Sequence, residues 1–414
     1  MKKLFFISCC LAIWGRAAPT MDDLVDQIDD ALTWSAAHEN IRTRLSGTVE
    51  LEGYHFQPAP DGLIHADGKN LINPRLVLYF DAQAGSHFYL FAQARLDRGF
   101  DPGEGNARLR LDEYALRFSP REDGVFNLQI GKFATVVGNW TSRHLAWDNP
   151  FITAPLPYEN LTGMFDEAAA DSAATLLRWS HVTPLPAGGN SYLDQYRLPI
   201  LWGPSYASGA AVSGLVGKIT YALEIKNVAL SSRPTSWDAT QVQWQNPTYS
   251  GRVGYRPDES WNLGASFSTG SYLRGSATPT LAAGRTLGDY REIVFGQDIS
   301  FAWHHLQFWA EAYEARFRIP TVGDAKTFSY YLETKYKFTP QLFAAVRWNQ
   351  QVYGRIPDGP DSSVRWGENV WRIDLAPSYR FTSHSEIKLQ YSLQSGGTTR
   401  GLAETFAAQF ILRF

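Results

Sequence analysis

The chain has almost no cysteine. Two occur in 414 residues, Cys9 and Cys10, both within the first ten positions. Nothing further along can form a disulfide, offer a thiolate nucleophile or bind a metal through sulfur. Long apolar runs are equally scarce. Beyond the amino-terminal segment no stretch approaches the ~20 apolar residues of a membrane-spanning helix, and the mean hydropathy is negative, -0.26. The net charge of -3 is small, and no basic stripe is present, which removes nucleic acid as a partner. Also missing are a Gly-x-Ser-x-Gly elbow, a His-Glu-x-x-His pair, a phosphate loop and a calcium loop. No catalytic residue, metal or cofactor is therefore expected. His304 and His305 fall at a short turn and read as turn residues rather than ligands.

What is present begins with an export signal. Lys2 and Lys3 precede the apolar Leu4 to Trp14, and the small residues Gly15, Ala17 and Ala18 follow, so residues 1–17 read as a secretory signal peptide. Residues 18–41 place Leu24, Val25, Ile28, Leu32 and Ala36 at helical spacing among acidic residues, a short amphipathic helix on the periplasmic side.

From residue 42 to residue 414 the period changes to two. In Lys326 to Phe338 the apolar set Phe328, Tyr330, Leu332, Tyr336 and Phe338 opposes Ser329, Glu333, Lys335 and Lys337. In Glu386 to Ser395, Ile387, Leu389, Tyr391 and Leu393 oppose Lys388, Gln390, Ser392 and Gln394. Such strands run to about 9 to 13 residues, enough to cross an outer membrane when tilted. Tight connections such as 121–124, 339–341 and 382–385 alternate with long loops such as 56–72, 229–246 and 354–369. That asymmetry suits short periplasmic turns below and longer loops outside. The fold expected is all-β, a transmembrane antiparallel β-barrel of about 16 to 18 strands. Eighteen is favoured if Ala174 to Val182 is a strand with a partner between Phe133 and Ser172.

The last eleven residues, Glu404 to Phe414, alternate Phe406, Ala408, Phe410, Leu412 and Phe414 against Thr405, Ala407, Gln409 and Arg413, and stop on the aromatic ring. Here the chain resembles Gram-negative outer-membrane β-barrel proteins, whose final strand ends in Phe. The resemblance implies that Phe414 is read by the barrel-insertion machinery, that outer-membrane lipid surrounds the chain, and that a porin-type homotrimer forms. The sequence marks no trimer interface.

A barrel this wide cannot be filled by its own wall. Residues 133–171 are dense in Trp140, Arg143, His144, Trp147, Asp148, Asn149, Phe151 and Tyr158, and aromatic density argues for burial. An inward-folded constriction loop follows, similar to that of trimeric porins. The preceding Gly131-Lys132-Phe133 resembles the strand end of phosphate-selective porins. The wet strand faces place Arg75, Arg95, Glu113, Arg117, Arg178, Arg252, Arg347, Arg372, Asp374 and Arg380 on the lumen as pore-lining residues, with basic groups in excess. A modest anion preference is expected from that excess. Trp202, Trp261, Trp303, Tyr336, Trp348 and Trp371 read as interfacial girdle residues. The function these features point to is passive diffusion of small hydrophilic solutes or ions across an outer membrane. A barrel enzyme of lipase or protease type, or an adhesive anchor barrel, is the alternative.

Overall fold

The computed structural model describes residues 20–36, 40–60, 62–64, 68–99, 107–180, 197–238, 244–397 and 399–414. The signal peptide expected over residues 1–17 lies outside them.

Alternation becomes a wall. Strands β2 (Ile41–Gln57), β3 (Asn70–Ala84), β4 (Phe88–Asp97), β5 (Arg108–Phe118), β6 (Asn127–Phe133), β7 (Ala207–Val216), β8 (Ile219–Lys226) and β9 (Thr248–Tyr255) form its first half. The second half comprises β10 (Trp261–Ser271), β11 (Arg291–Trp303), β12 (Leu306–Ile319), β13 (Gly323–Lys337), β14 (Leu342–Tyr353), β17 (Val370–Arg380), β18 (Ser385–Gly396) and β19 (Thr399–Arg413). Each pairs antiparallel with the next, and β19 returns to β2 in the register Phe406↔His55 and Phe410↔Leu51, closing the ladder. The amide and carbonyl of Phe414 complete the seam with Gly47, each bond 2.9 Å long. A short strand β1 (Thr33–Ala36) pairs with the start of β2 below the wall, and β15 (Arg355–Gly359) with β16 (Ser362–Arg365) forms a hairpin in an outer loop.

The barrel has sixteen strands, not the favoured eighteen. Of the expected strand Ala174 to Val182, the described residues 174–180 are not extended. They lie in helix α3 (Ala173–Ser180), where Leu176 and Ser180 are buried together at i, i+4. The apolar pair Leu176-Leu177 fits a 3.6 period better than a period of two, and no partner strand occurs in residues 134–172. The loop asymmetry also has two exceptions. On the outer rim residues 320–322 make a short link, braced by the Thr321 hydroxyl donating to the Ala170 carbonyl over 2.9 Å, and β18 ends only three positions before β19 begins.

Burial is inverted relative to a water-soluble barrel. On β19 the rings of Phe406 and Phe410 are 48% and 43% exposed, whereas Thr405 and Gln409 between them are buried. An apolar exterior around a polar interior is stable only when lipid surrounds the wall. Aromatic residues bound this band. Trp261, Trp303 and Tyr336 stand near the short turns, and Trp348 stacks on Trp371 at 5.7 Å toward the other rim. Trp202 does not belong to that set, being 6% exposed within the interior core.

Below the wall lies helix α1 (Met21–Ala31), begun by a capping box in which the Asp23 amide donates to the Thr20 hydroxyl and the Thr20 amide to the Asp23 carboxylate. Those bonds from Thr20 hold the Asp23 carboxyl below the usual carboxylate range. The helix is fastened to the barrel floor by Asp29 with Arg44 and by Asp26 with His384, both at 2.9 Å.

Leu332 is 45% exposed on the outer face of β13, midway between the rims. Leu332→Arg should cost about 2–4 kcal/mol in urea-driven unfolding from lipid vesicles. A surface facing water would lose almost nothing.

Candidate functional site

Between the end of β6 and the start of β7, the described residues 134–180 and 197–206 turn into the lumen. The wall's inward polar side chains take up the backbone groups this segment brings with it. Glu113 of β5 accepts the Ala134 amide over 2.7 Å, and Glu224 of β8 accepts the Thr135 hydroxyl over 2.6 Å and the Val136 amide over 3.2 Å. Across the lumen, Glu311 of β12 accepts the Trp140 amide over 2.7 Å and the Tyr158 hydroxyl over 2.6 Å. Arg143 reaches Glu333 of β13 at 2.5 Å and the Tyr331 hydroxyl at 3.1 Å, with its guanidinium 4.4 Å from the Trp309 ring.

The segment then crosses to the last strands. Lys388 of β18 donates to the carbonyls of Ala146 and Asn149, and Gln390 accepts the Ile152 amide over 2.7 Å. Arg347 of β14 bonds Asp374 of β17 at 2.9 Å and donates to the Thr153 carbonyl over 3.0 Å, while Arg372 joins Asp374 to Glu159. Asn349 accepts the Leu156 amide over 3.2 Å, and the Asn160 side chain donates to Gln351 over 3.1 Å. The short helix α2 (Leu156–Glu159) is thus fixed at both ends. Charge-assisted bonds of this kind are among the strongest available, and removing one partner of a buried pair costs about 3–5 kcal/mol.

One side of the lumen becomes a solid core. Trp140 packs on Tyr158 at 4.5 Å, and both join Met164, Leu176, Leu198, Ile200, Leu201, Trp202 and Tyr206. This group meets inward residues of β12 to β14 that are apolar rather than wet, including Tyr313, Ala315, Phe317, Ala325 and Tyr353. Gly138 sits where the segment touches this wall. Its φ of +77° is left-handed, and an added Cβ would strike the hydroxyls of Tyr313 and Tyr158.

The opposite wall, β2 to β5, keeps an ionic inner face. Arg75 bonds Asp97 at 2.9 Å, Glu50 at 3.1 Å and Glu52 at 3.0 Å; Arg110 bonds Asp97 at 2.7 Å; Arg95 bonds Asp112 at 3.1 Å. The side chains of Arg75 and Arg110 remain 19% and 22% exposed, so water reaches them. Further down, Arg117 donates to Gln129 over 3.0 Å and lies 5.7 Å from the Tyr89 ring. A β-bulge shapes this wall. Gln93 pairs with Glu113 but Ala94 pairs with Leu111, leaving Asp112 as the extra residue, and so Asp112 and Glu113 both face inward.

The structure places the expected pore-lining residues in three groups. Arg75, Arg95 and Arg117 stand on the ionic wall. Glu113, Arg347, Arg372 and Asp374 grip the inserted segment or one another, and Arg252 is closed against Asp298 at 2.6 Å. Arg380, paired with Glu386 at 2.7 Å, lies at the floor. Arg178 is a correction: it is an exposed residue of α3 and belongs to no wall strand. Among the expected constriction residues, Trp140, Arg143 and Asn149 are buried in the latches just described. The His144 ring bridges the Thr141 carbonyl and the Tyr206 hydroxyl. Trp147 is covered by Arg413 at 4.0 Å and Arg380 at 4.5 Å, and Asp148 is exposed beside it. Arg110 and Asp112 escaped the alternation because the bulge reverses parity within β5; the consecutive acids Asp112-Glu113 were the only trace.

These features define a closed membrane β-barrel carrying an inward-folded segment between two neighbouring strands. No protein-family model matches the chain, and no curated protein matches it by sequence. Solved structures do match in shape. OmpF of Salmonella typhi, in complex with daunomycin, aligns with a TM-score of 0.55 at 12% identity, over 92% of this chain and 100% of that one. The anion-selective porin of Comamonas acidovorans aligns at 0.55 with 10% identity, over 90% and 100%. A trimer form of Vibrio cholerae OmpT, an outer-membrane protein, aligns at 0.54 with 9% identity, over 90% and 99%. The chain therefore has the porin-type outer-membrane barrel fold.

Gly138→Ala should push residues 135–143 off β12, read as new protease cleavage within residues 139–150 of the folded protein. Gly53→Ala, with nothing within 4 Å of the added methyl, should leave the digest unchanged.

Proposed function

We propose that the protein is an outer-membrane diffusion channel for small hydrophilic solutes, with the water path running along β2 to β5. The observation that carries this reading is the division of the lumen. The inserted segment packs an apolar core against β12 to β14, whereas the β2 to β5 wall keeps half-buried arginines turned to the interior. Arg75, Arg95, Arg110 and Arg117 are the residues solutes would pass. Permeation of this kind requires no catalytic residue and no cofactor, only a wetted, narrowed path.

A modest anion preference fits the floor better than the middle. At mid-height Arg75, Arg95 and Arg110 are balanced by Glu50, Glu52, Asp97 and Asp112, so the cluster carries little net charge. Among side chains of the wall and the inserted segment toward the periplasmic end, Arg117, Lys335, Lys337, Arg380, Lys388 and Arg413 outnumber the carboxylates Asp81, Asp148 and Glu386. Of the five aspartates of α1 below the wall, Asp29 is paired with Arg44 and Asp26 with His384. Fixed charge at a mouth enriches counter-ions there and screens with salt. A homotrimer is proposed by analogy with the trimeric form of the Vibrio cholerae protein.

Purified protein in planar bilayers should give stepwise conductance, with a reversal potential in a salt gradient of the sign that marks anion flow. Lys335→Gln with Lys337→Gln should move that potential toward cation selectivity. Absence of current steps would contradict the channel, and a cation-selective wild type would contradict the preference while leaving the channel standing.

A further inference from the structure

The outer wall carries one group of charges that neither the barrel nor the lumen requires. Arg316 on β12 and Lys326 on β13 are directly opposed across the ladder, and even-numbered residues of β12 and β13 face outward here. Like charges placed opposite each other on one sheet face repel. Arg318 and Asp324 form the next row toward the rim, and Arg291 of β11 faces outward beside them, donating to the Thr269 hydroxyl over 3.2 Å. The carboxylate shared with this face is Glu314, which holds Arg316 at 2.7 Å. Neither Arg318 nor Lys326 has a carboxylate within 4.0 Å among the described residues. On these strands four cations face two carboxylates, and the loop before β11 adds one of each sign, Arg285 and Asp289, 3.8 Å apart.

Height decides what can neutralise them. Lys326 lies ten positions along β13 from Tyr336, a residue at the periplasmic aromatic edge. At ~3.3 Å per residue and a tilt of ~40°, that is roughly 25 Å, the height of the apolar band of such barrels. The cations therefore stand at the headgroup level of the outer leaflet. Immediately beneath them the rings of Phe295 and Phe328, 46% and 41% exposed, flank Glu314 in the register Phe295↔Glu314↔Phe328. Cations above exposed rings match a molecule with an anionic head and apolar tails.

We propose that this face of β11 to β13 is a docking site for phosphorylated lipid of the outer leaflet, with the phosphate seated between Arg316 and Lys326 and the acyl chains on Phe295 and Phe328. A phosphate oxygen between two cations replaces their repulsion with two charge-assisted bonds, and the planar guanidinium suits it geometrically. The site is independent of the channel reading, because it lies on the opposite side of the wall from the lumen.

The test uses the full-length folded protein in neutral detergent, with phosphatidic acid as probe and native mass spectrometry as readout. The wild type should retain phosphatidic acid and not diacylglycerol. The triple variant Arg316→Gln, Arg318→Gln, Lys326→Gln should bind at least tenfold more weakly, with unchanged heat-dependent migration on gels. The double variant Arg121→Gln, Lys218→Gln, at periplasmic turns, should bind as the wild type does. Should the triple variant not fold, Lys326→Gln alone, at an exposed position, should still weaken retention severalfold. Equal retention by wild type and folded variants would overturn the site. So would an equal loss in the periplasmic control, or displacement of the lipid by inorganic phosphate at the same concentration, which would make it a site for free anions.

Discussion

Every backbone amide and carbonyl that enters hydrocarbon must find its partner within the protein, since the bilayer core offers none. This chain meets that demand by pairing β19 with β2, so that no strand of the barrel wall is left with an open edge. The other properties of the wall follow from closure. Sixteen strands enclose a space too wide for the wall's own side chains to fill, and the outer face, Phe406 and Phe410 among it, must be apolar.

The interior is governed by a second accounting of hydrogen bonds. A loop folded into a barrel brings amides and carbonyls that would otherwise need water, and the wall supplies Glu113, Glu224, Glu311, Asn349, Lys388 and Gln390 to receive them. Charged side chains that would line an empty pore are thereby spent as fasteners. Arg347 and Asp374 illustrate the exchange: both are fully buried, and their pairing also anchors the Thr153 carbonyl. The side left ionic and partly wetted lies away from the large apolar core and carries only small apolar clusters, Tyr54, Phe56 and Leu71 on β2 and β3 and Ala115 with Phe133 on β5 and β6. On the proposed function that asymmetry, rather than the count of inward charges, sets the solute path.

Much of this was legible in the residues. Alternation in Lys326 to Phe338 and Glu386 to Ser395 assigns each side chain to lipid or lumen, because a strand's side-chain period is two and a slip of one would turn the whole set over. The aromatic density of residues 140–158 pointed to burial. Three features were not legible. Helix α3 passes for a strand because eight residues make barely two helical turns, too short a stretch for its period to be read, and only the adjacent leucines argue against alternation. The bulge at Asp112 reverses parity halfway along β5. Trp202 and Arg347 look from sequence like an interfacial ring and a pore charge, and only the path of the inserted chain, a long-range property, makes both of them interior.

The absence of cysteine beyond residue 10 makes the proposed water path directly testable. Single cysteines would be introduced as Tyr89→Cys and Arg117→Cys on the ionic wall, and as Ala315→Cys and Ala325→Cys beneath the packed core, and each protein would be treated with a charged methanethiosulfonate during bilayer recording. The account predicts that reagent reduces conductance at positions 89 and 117 and leaves 315 and 325 unreacted. Block at 315 or 325 with none at 89 or 117 would contradict it.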